Sequence, residues 1–122
     1  MLSLDVEKTG DVTLVRCSGR IVRGEEVRTL KHAVVSEENP RIVVLDLSEV
    51  ETLDAGGLTA LLSLHYWALN RGVQLKLVNP SHFVNEMLER TQLNRVFDIS
   101  SLNHALIVLS GGECKHAICR WI

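Results

Sequence analysis

Residues 42–64 read IVVLDLSEVETLDAGGLTALLSL, and the architecture of the chain follows from them. The first part, Ile42 to Leu47, is apolar at every position except Asp46. Continuous apolarity of this length describes a central strand covered on both faces. A short polar turn follows, carrying Ser48, Thr52 and Asp54 and leading into Gly56-Gly57. From about Ala55 to Asn70 the spacing predicts a leucine-rich helix with no Asp, Glu, Lys or Arg. The amides at the start of a helix are unpaired and carry partial positive charge, so the junction suits an anion, a phosphate or an acidic group of a partner. Asp54 is placed to cap those amides. Ala55, between Asp54 and Gly56, has a methyl group and no chemistry of its own. Each of the two glycines costs the helix about 1 kcal/mol relative to alanine, so a close approach by a partner or a neighbouring backbone is expected there.

On the N-terminal side, Leu2, Leu4 and Val6 alternate with polar residues as in a short edge strand. Thr9-Gly10-Asp11 is a turn signal, and Val12 to Cys17 reads as a second strand closed by Ser18-Gly19, giving an antiparallel hairpin. Gly24-Glu25-Glu26 opens a helix with acidic residues where the dipole favours them; Val27, Leu30, Ala33 and Val34 share its inner face, and Asn39-Pro40 stops it. On the C-terminal side, Gly72 is placed to cap the uncharged helix. Val73, Leu75 and Leu77 alternate as a strand, and Asn79-Pro80-Ser81 starts a short helix with Val84, Met87 and Leu88 inward. Val96 to Ile99 is a last short strand. Ser100 or Ser101 caps a final helix with Leu102, Ala105, Leu106 and Leu109, ended by Gly111-Gly112. The order β-β-α-β-α-β-α-β-α predicts an α/β fold: a mixed, mostly parallel sheet of about five strands with four helices. One domain is expected over residues 1–110, with a tail over 111–122.

The chain has 122 residues, is 46% apolar and 23% charged, and carries a net charge of −2. That balance gives nucleic-acid binding little electrostatic footing. The early charges of Asp5 and Glu7 do not resemble a secretory leader, and no apolar run reaches the roughly 20 residues of a membrane span, so a cytoplasmic protein is expected. The odd cysteine count points to reduced thiols: Cys17 as a small core residue, Cys114 and Cys119 in the tail beside His116. That last group lacks a fourth ligand at a familiar spacing, and His32, His65, His82 and His104 form no ligand group, so no metal or cofactor is expected. His65 on the apolar helix reads as a packing residue. There is no Ser-His-Asp order, no phosphate loop and no paired carboxylate, hence no case for an enzyme.

Several pieces in fixed order resemble one family. The best is Val44-Leu45-Asp46-Leu47-Ser48-Glu49-Val50-Glu51-Thr52-Leu53-Asp54-Ala55-Gly56-Gly57-Leu58, supported by Ser18-Gly19-Arg20-Ile21, by Leu75-Lys76-Leu77-Val78-Asn79-Pro80 and by Leu93-Asn94-Arg95-Val96-Phe97-Asp98-Ile99. Together they are similar to the STAS domain of bacterial anti-sigma factor antagonists, across residues 2–109. The resemblance implies a domain that binds a kinase-type, histidine-kinase-like anti-sigma factor and so releases a sigma factor. In that family the kinase phosphorylates the serine after the Asp, which ends binding, and a phosphatase resets it. Alanine occupies this position here, as Ala55, so no phosphoryl group can be accepted there. Such a group would bring about −1.5 to −2 charges to the binding face.

The resemblance places a partner-binding face on Asp54, Ala55, Gly56, Gly57 and Leu58, joined by Arg20, Arg23 and Gly24 from the loop after the second strand. Thr59, Thr52 and Ser48 are displaced alternatives for a phosphosite; the simpler reading makes Thr59 a helix residue and Ser48 a turn former, since a one-turn shift of about 5.4 Å spoils in-line transfer. On the outer side of the uncharged helix, Thr59, Ser63, Tyr66, Trp67 and Asn70 suggest an interface with another protein or a second copy of the chain. Small STAS proteins also act as subunits of lipid-transport ABC complexes bound to the ATPase, which is the alternative expectation. A nucleotide or lipid binder is a third, disfavoured by the lack of a glycine-rich loop with a lysine.

Overall fold

The fold starts from a hairpin. Strand β1 (Leu2–Thr9) turns at Gly10-Asp11 and pairs antiparallel with β2 (Val12–Ile21), in a register running from Thr9↔Val12 to Leu2↔Gly19. The computed structural model describes residues 2–35 and 40–100, and the following elements are drawn from these. Helix α1 (Glu25–Val35) leads to β3 (Ile42–Leu53), α2 (Ala55–Arg71) to β4 (Gln74–Val78), and α3 (His82–Arg90) through a single 3-10 turn (Leu93–Arg95) to β5 (Asp98–Ser100). The sheet order is β1-β2-β3-β4-β5, with every pairing after the hairpin parallel.

Each parallel crossover steps one strand further in the same direction, so right-handed connections put α1, α2 and α3 on one face of the sheet. The core lies between them. Val15 and Cys17 of β2, Val43, Leu45 and Leu47 of β3, and Leu75 and Leu77 of β4 pack against Leu30, Val34, Leu61, Leu64, Ala68, Val84 and Leu88 of the helices. Val44 and Val78, on the opposite pleat, are also buried, as the apolar run of β3 requires. The exception in that run, Asp46, is 2% exposed; its carboxylate accepts from Arg16 Nε at 3.3 Å and from the Ser48 amide at 3.0 Å.

The ends of β2 and β3 depart from the sequence expectation. Ser18-Gly19 does not close β2; two register shifts, at Arg16/Ser18 and Gly19/Arg20, carry it on to Ile21. Residues Ser48 to Leu53 are not a turn but the second half of β3, paired with that extension through Ser18↔Glu49, Gly19↔Val50, Arg20↔Thr52 and Ile21↔Leu53. The physical reason is that β4 pairs with β3 only as far as Asp46↔Val78. Beyond that point β4 no longer flanks β3, and Ser81 bonds to the Leu47 and Val50 carbonyls instead; polar Ser48, Glu49 and Glu51 sit exposed in the strand while Val50 and Leu53 turn inward.

The helix ends follow the chemistry of their caps. Gly72 closes α2 in the left-handed region at φ 69°, where a β-carbon would be strained, and its amide returns to the Ala68 and Leu69 carbonyls. For α3 the cap is Ser81, so Pro80 stands ahead of the helix and not in its first turn. Met87 is half-buried beside the buried Val84 and Leu88. The last strand begins at Asp98, two residues later than expected, because Val96 ends the 3-10 turn. The expected final helix with Leu102, Ala105, Leu106 and Leu109, and the Cys114, His116 and Cys119 tail, lie outside the described residues.

Candidate functional site

At one end of the sheet the two extended strands deliver their chain to the heads of α1 and α2. Asp54 leaves β3 in an extended conformation and caps α2, its Oδ1 accepting from the Gly57 amide at 2.8 Å. Its other oxygen, Oδ2, accepts from the Arg23 amide at 3.2 Å, a contact across 31 positions of sequence. The Asp54 amide in turn donates to the Ile21 carbonyl at 3.4 Å. The amides of Gly57 first, then of Arg23, hold the Asp54 carboxyl below the usual carboxylate range; loss of some solvent opposes them, and the Arg23 charge and the Gly56 amide add to the lowering. The N-cap role expected for Asp54 is therefore present, with a second bond that the sequence reading missed. No local pattern could reveal it, since the partner is a main-chain N–H in another loop.

The two glycines meet neighbouring backbone. A β-carbon on Gly57 would run into the Ile21 carbonyl and lie 2.6 Å from Leu53 Cδ1. One on Gly56 would lie 2.8 Å from Arg23 Cβ and 3.1 Å from its Cα. Close packing of the chain on itself thus accounts for both. Gly24, at φ +113°, turns the loop into α1 in a conformation that side chains disfavour.

Of the eight residues expected on a partner face, Arg20, Arg23 and Ala55 are exposed, and Gly24, Asp54 and Gly56 are half-buried. Gly57 and Leu58 are buried and support this surface from beneath. Among the alternative hydroxyls, Thr59 Oγ1 donates to the Ala55 carbonyl at 2.9 Å, Thr52 is half-buried in β3, and Ser48 is exposed on it. On α2, Leu61 and Leu64 are core, whereas Leu69 is 62% exposed and Tyr66 58% exposed. Trp67 is half-buried with the Arg71 guanidinium 6.0 Å from its ring. His65 sits edge-on to Tyr66 and Phe97, at 5.4 and 5.6 Å between ring centroids, as a packing residue. Cys17 is fully buried, and burial first, then the Asp46 carboxylate, push its thiol up to about 12. Among the described residues no group of His, Cys, Asp and Glu could hold a metal ion. No helix among them is long and apolar enough to cross a membrane.

This junction sits where the family motif lies, and the STAS domain family model matches residues 3–105. The chain belongs to the STAS domain family. Solved STAS structures superpose over most of its length. An anti-sigma factor antagonist from Mycobacterium paratuberculosis is 27% identical, with a TM-score of 0.75 over 88% of this chain and 93% of that one. The anti-sigma factor antagonist SpoIIAA in its unphosphorylated form is 13% identical, with a TM-score of 0.74 over 89% of this chain and 97% of its own. A sulfate transporter family protein from Wolinella succinogenes is 23% identical, with a TM-score of 0.71 over 80% and 84%. At these last two identities the likeness speaks to the STAS fold alone.

Proposed function

We propose that this STAS protein is an anti-sigma factor antagonist-like binding module, that it docks on a kinase-type anti-sigma factor, and that it lacks the usual switch. The observation that carries this reading is the exposed methyl group of Ala55 at the first position of α2, directly after the capping Asp54. The likeness to the mycobacterial anti-sigma factor antagonist supports the choice of partner class. Arg20, Arg23, Gly24, Asp54, Ala55 and Gly56 form the docking surface, with Gly57 and Leu58 as its floor. Occupying the anti-sigma factor would free its sigma factor by competition, with no bond made or broken in this chain. Because Ala55 has no hydroxyl and Thr59 is bonded back to its own helix, the partner's kinase activity has no acceptor at the head of α2.

Isothermal titration of the full chain against its cognate kinase-type anti-sigma factor, with and without ATP, tests this. The expected result is association that ATP does not weaken over time; phosphate incorporated into the unaltered chain with loss of binding would overturn it. A second reading, a STAS subunit of a lipid-transport ABC complex, draws on the exposed Tyr66 and Leu69 of α2, which is uncharged from Ala55 to Asn70; these suit a lasting apolar contact. Recovery of an ABC ATPase by a pull-down from native cells, with no anti-sigma factor, would favour it.

A further inference from the structure

We infer that Asp54 is a positioning residue of the docking surface, whose two carboxylate oxygens fasten the Val22–Gly24 loop to the head of α2 so that Arg23 and Ala55 are presented together. The inference rests on the reading above and adds how its surface is held. One oxygen, Oδ1, is committed to the Gly57 amide and the other, Oδ2, to the Arg23 amide. Two further contacts run alongside. The Asp54 amide meets the Ile21 carbonyl, and the Gly56 α-carbon packs beneath Arg23 so closely that a β-carbon would lie 2.8 Å from Arg23 Cβ.

The loop between Ile21 and Glu25 is only three residues, 22–24, and enters α1 through the positive φ of Gly24. A segment so short moves as a unit. Releasing its one bond to a side chain oxygen lets the exposed Arg23 drift from Ala55 while leaving β2 and α1 in place. The capping bond and the loop bond are chemically separable. Asparagine is as good an N-cap as aspartate, but its second terminal atom is an NH₂ donor, which cannot accept from the Arg23 amide. Serine caps with one oxygen and offers no second acceptor.

The full chain, its Asp54→Asn and Asp54→Ser variants and, as the loss-of-both control, Asp54→Ala are compared by two measurements. Amide hydrogen exchange by NMR reads the two bonds in the free protein. Titration with the cognate kinase-type anti-sigma factor reads docking. In the Asn and Ser variants the Gly57 amide should keep its protection within about twofold, while the Arg23 amide exchanges about tenfold faster, as expected for one hydrogen bond. Affinity should fall about tenfold in parallel, with the melting temperature nearly unchanged. Binding by the unaltered chain should also weaken as the pH drops through the lowered range of Asp54, and this limb should vanish in the Asn variant. An Arg23 amide that exchanges as slowly in the Asn variant as in the unaltered chain overturns the fastening. Faster exchange with unchanged affinity overturns its role in docking. Failure of the unaltered chain to bind any anti-sigma factor defeats the parent reading and the docking role with it, and is told apart because the exchange rates do not depend on a partner.

Discussion

Ala55 and Cys17 show how a single side chain sets what this molecule can do. Ala55 is exposed at the start of α2. Ala55→Ser should therefore leave stability within about 0.5 kcal/mol, as for most exposed substitutions, yet create a phosphoacceptor. Incubation with the cognate anti-sigma kinase and ATP, read by intact mass, should add one phosphate to the variant and none to the unaltered chain. Cys17 is the opposite case, a nucleophile by type that its surroundings silence. Its thiol is pushed up to about 12, whereas an unfolded thiol ionises near about 8.5. Between those values the unfolded chain loses a proton that the folded chain keeps, so Cys17 contributes fully to stability below the lower value and its contribution is lost as pH rises toward the upper. Urea midpoints should fall between about pH 8.5 and about pH 10, and fall less in Cys17→Val. Thiol reagents at neutral pH should label Cys17 only at the rate of unfolding.

At the scale of elements, helix starts are where sequence and packing compete. Glycine in the first turn of α2 opposes helix formation, so propensity alone predicts that Gly57→Ala stabilises by about 1 kcal/mol. The Ile21 carbonyl stands where that β-carbon would go, and a backbone carbonyl held in the β2–β3 ladder has little room to yield. Overpacking of this kind costs about 1–3 kcal/mol, so after the gain in propensity Gly57→Ala should lose up to about 2 kcal/mol net by urea unfolding. Gly56→Ala meets Arg23 Cβ and Cα at 2.8 and 3.1 Å, in a loop that can shift, and should lose less. In α3 the cap is shared between two elements: Ser81 Oγ receives the Val84 amide at 3.4 Å and donates to the Val50 carbonyl of β3 at 2.7 Å. Ser81→Ala removes both and should cost about 1–2 kcal/mol. The bond to Val50 anchors the far half of β3, where the sequence alone predicts a turn.

For the molecule as a whole, α2 is the pivot between core and surface. Leu61 is fully buried against the sheet, and Leu69, two turns on, is 62% exposed. Leu61→Ala should cost about 3 kcal/mol and shift a single cooperative unfolding transition, since one core joins all three described helices to the sheet. Leu69→Ala should leave the urea midpoint nearly unmoved, within about 0.5 kcal/mol. If the uncharged face of α2 serves an interface, the paired change Tyr66→Ala with Leu69→Ala should lower affinity for the recovered partner, or shift sedimentation of the chain toward monomer, without loss of stability.

The sequence by itself determined the order of the described elements, the central place of β3, the caps at Asp54 and Gly72 and the absence of a hydroxyl at position 55. These are matters of local patterning: periodicity, turn chemistry and residue identity act over a few positions, and the STAS motifs lie in the same local order. Tertiary structure alone decided the rest. Whether Ser48 to Leu53 is a turn or a strand depends on the extension of β2 beside it, because polar residues can join a ladder where their side chains reach solvent. Why Gly56 and Gly57 are glycines depends on Arg23 and Ile21, more than 30 positions away, and which atoms Asp54 holds depends on the same loop. A contact between distant backbone groups leaves no trace in side-chain identity on the loop side, since every residue but proline carries an N–H.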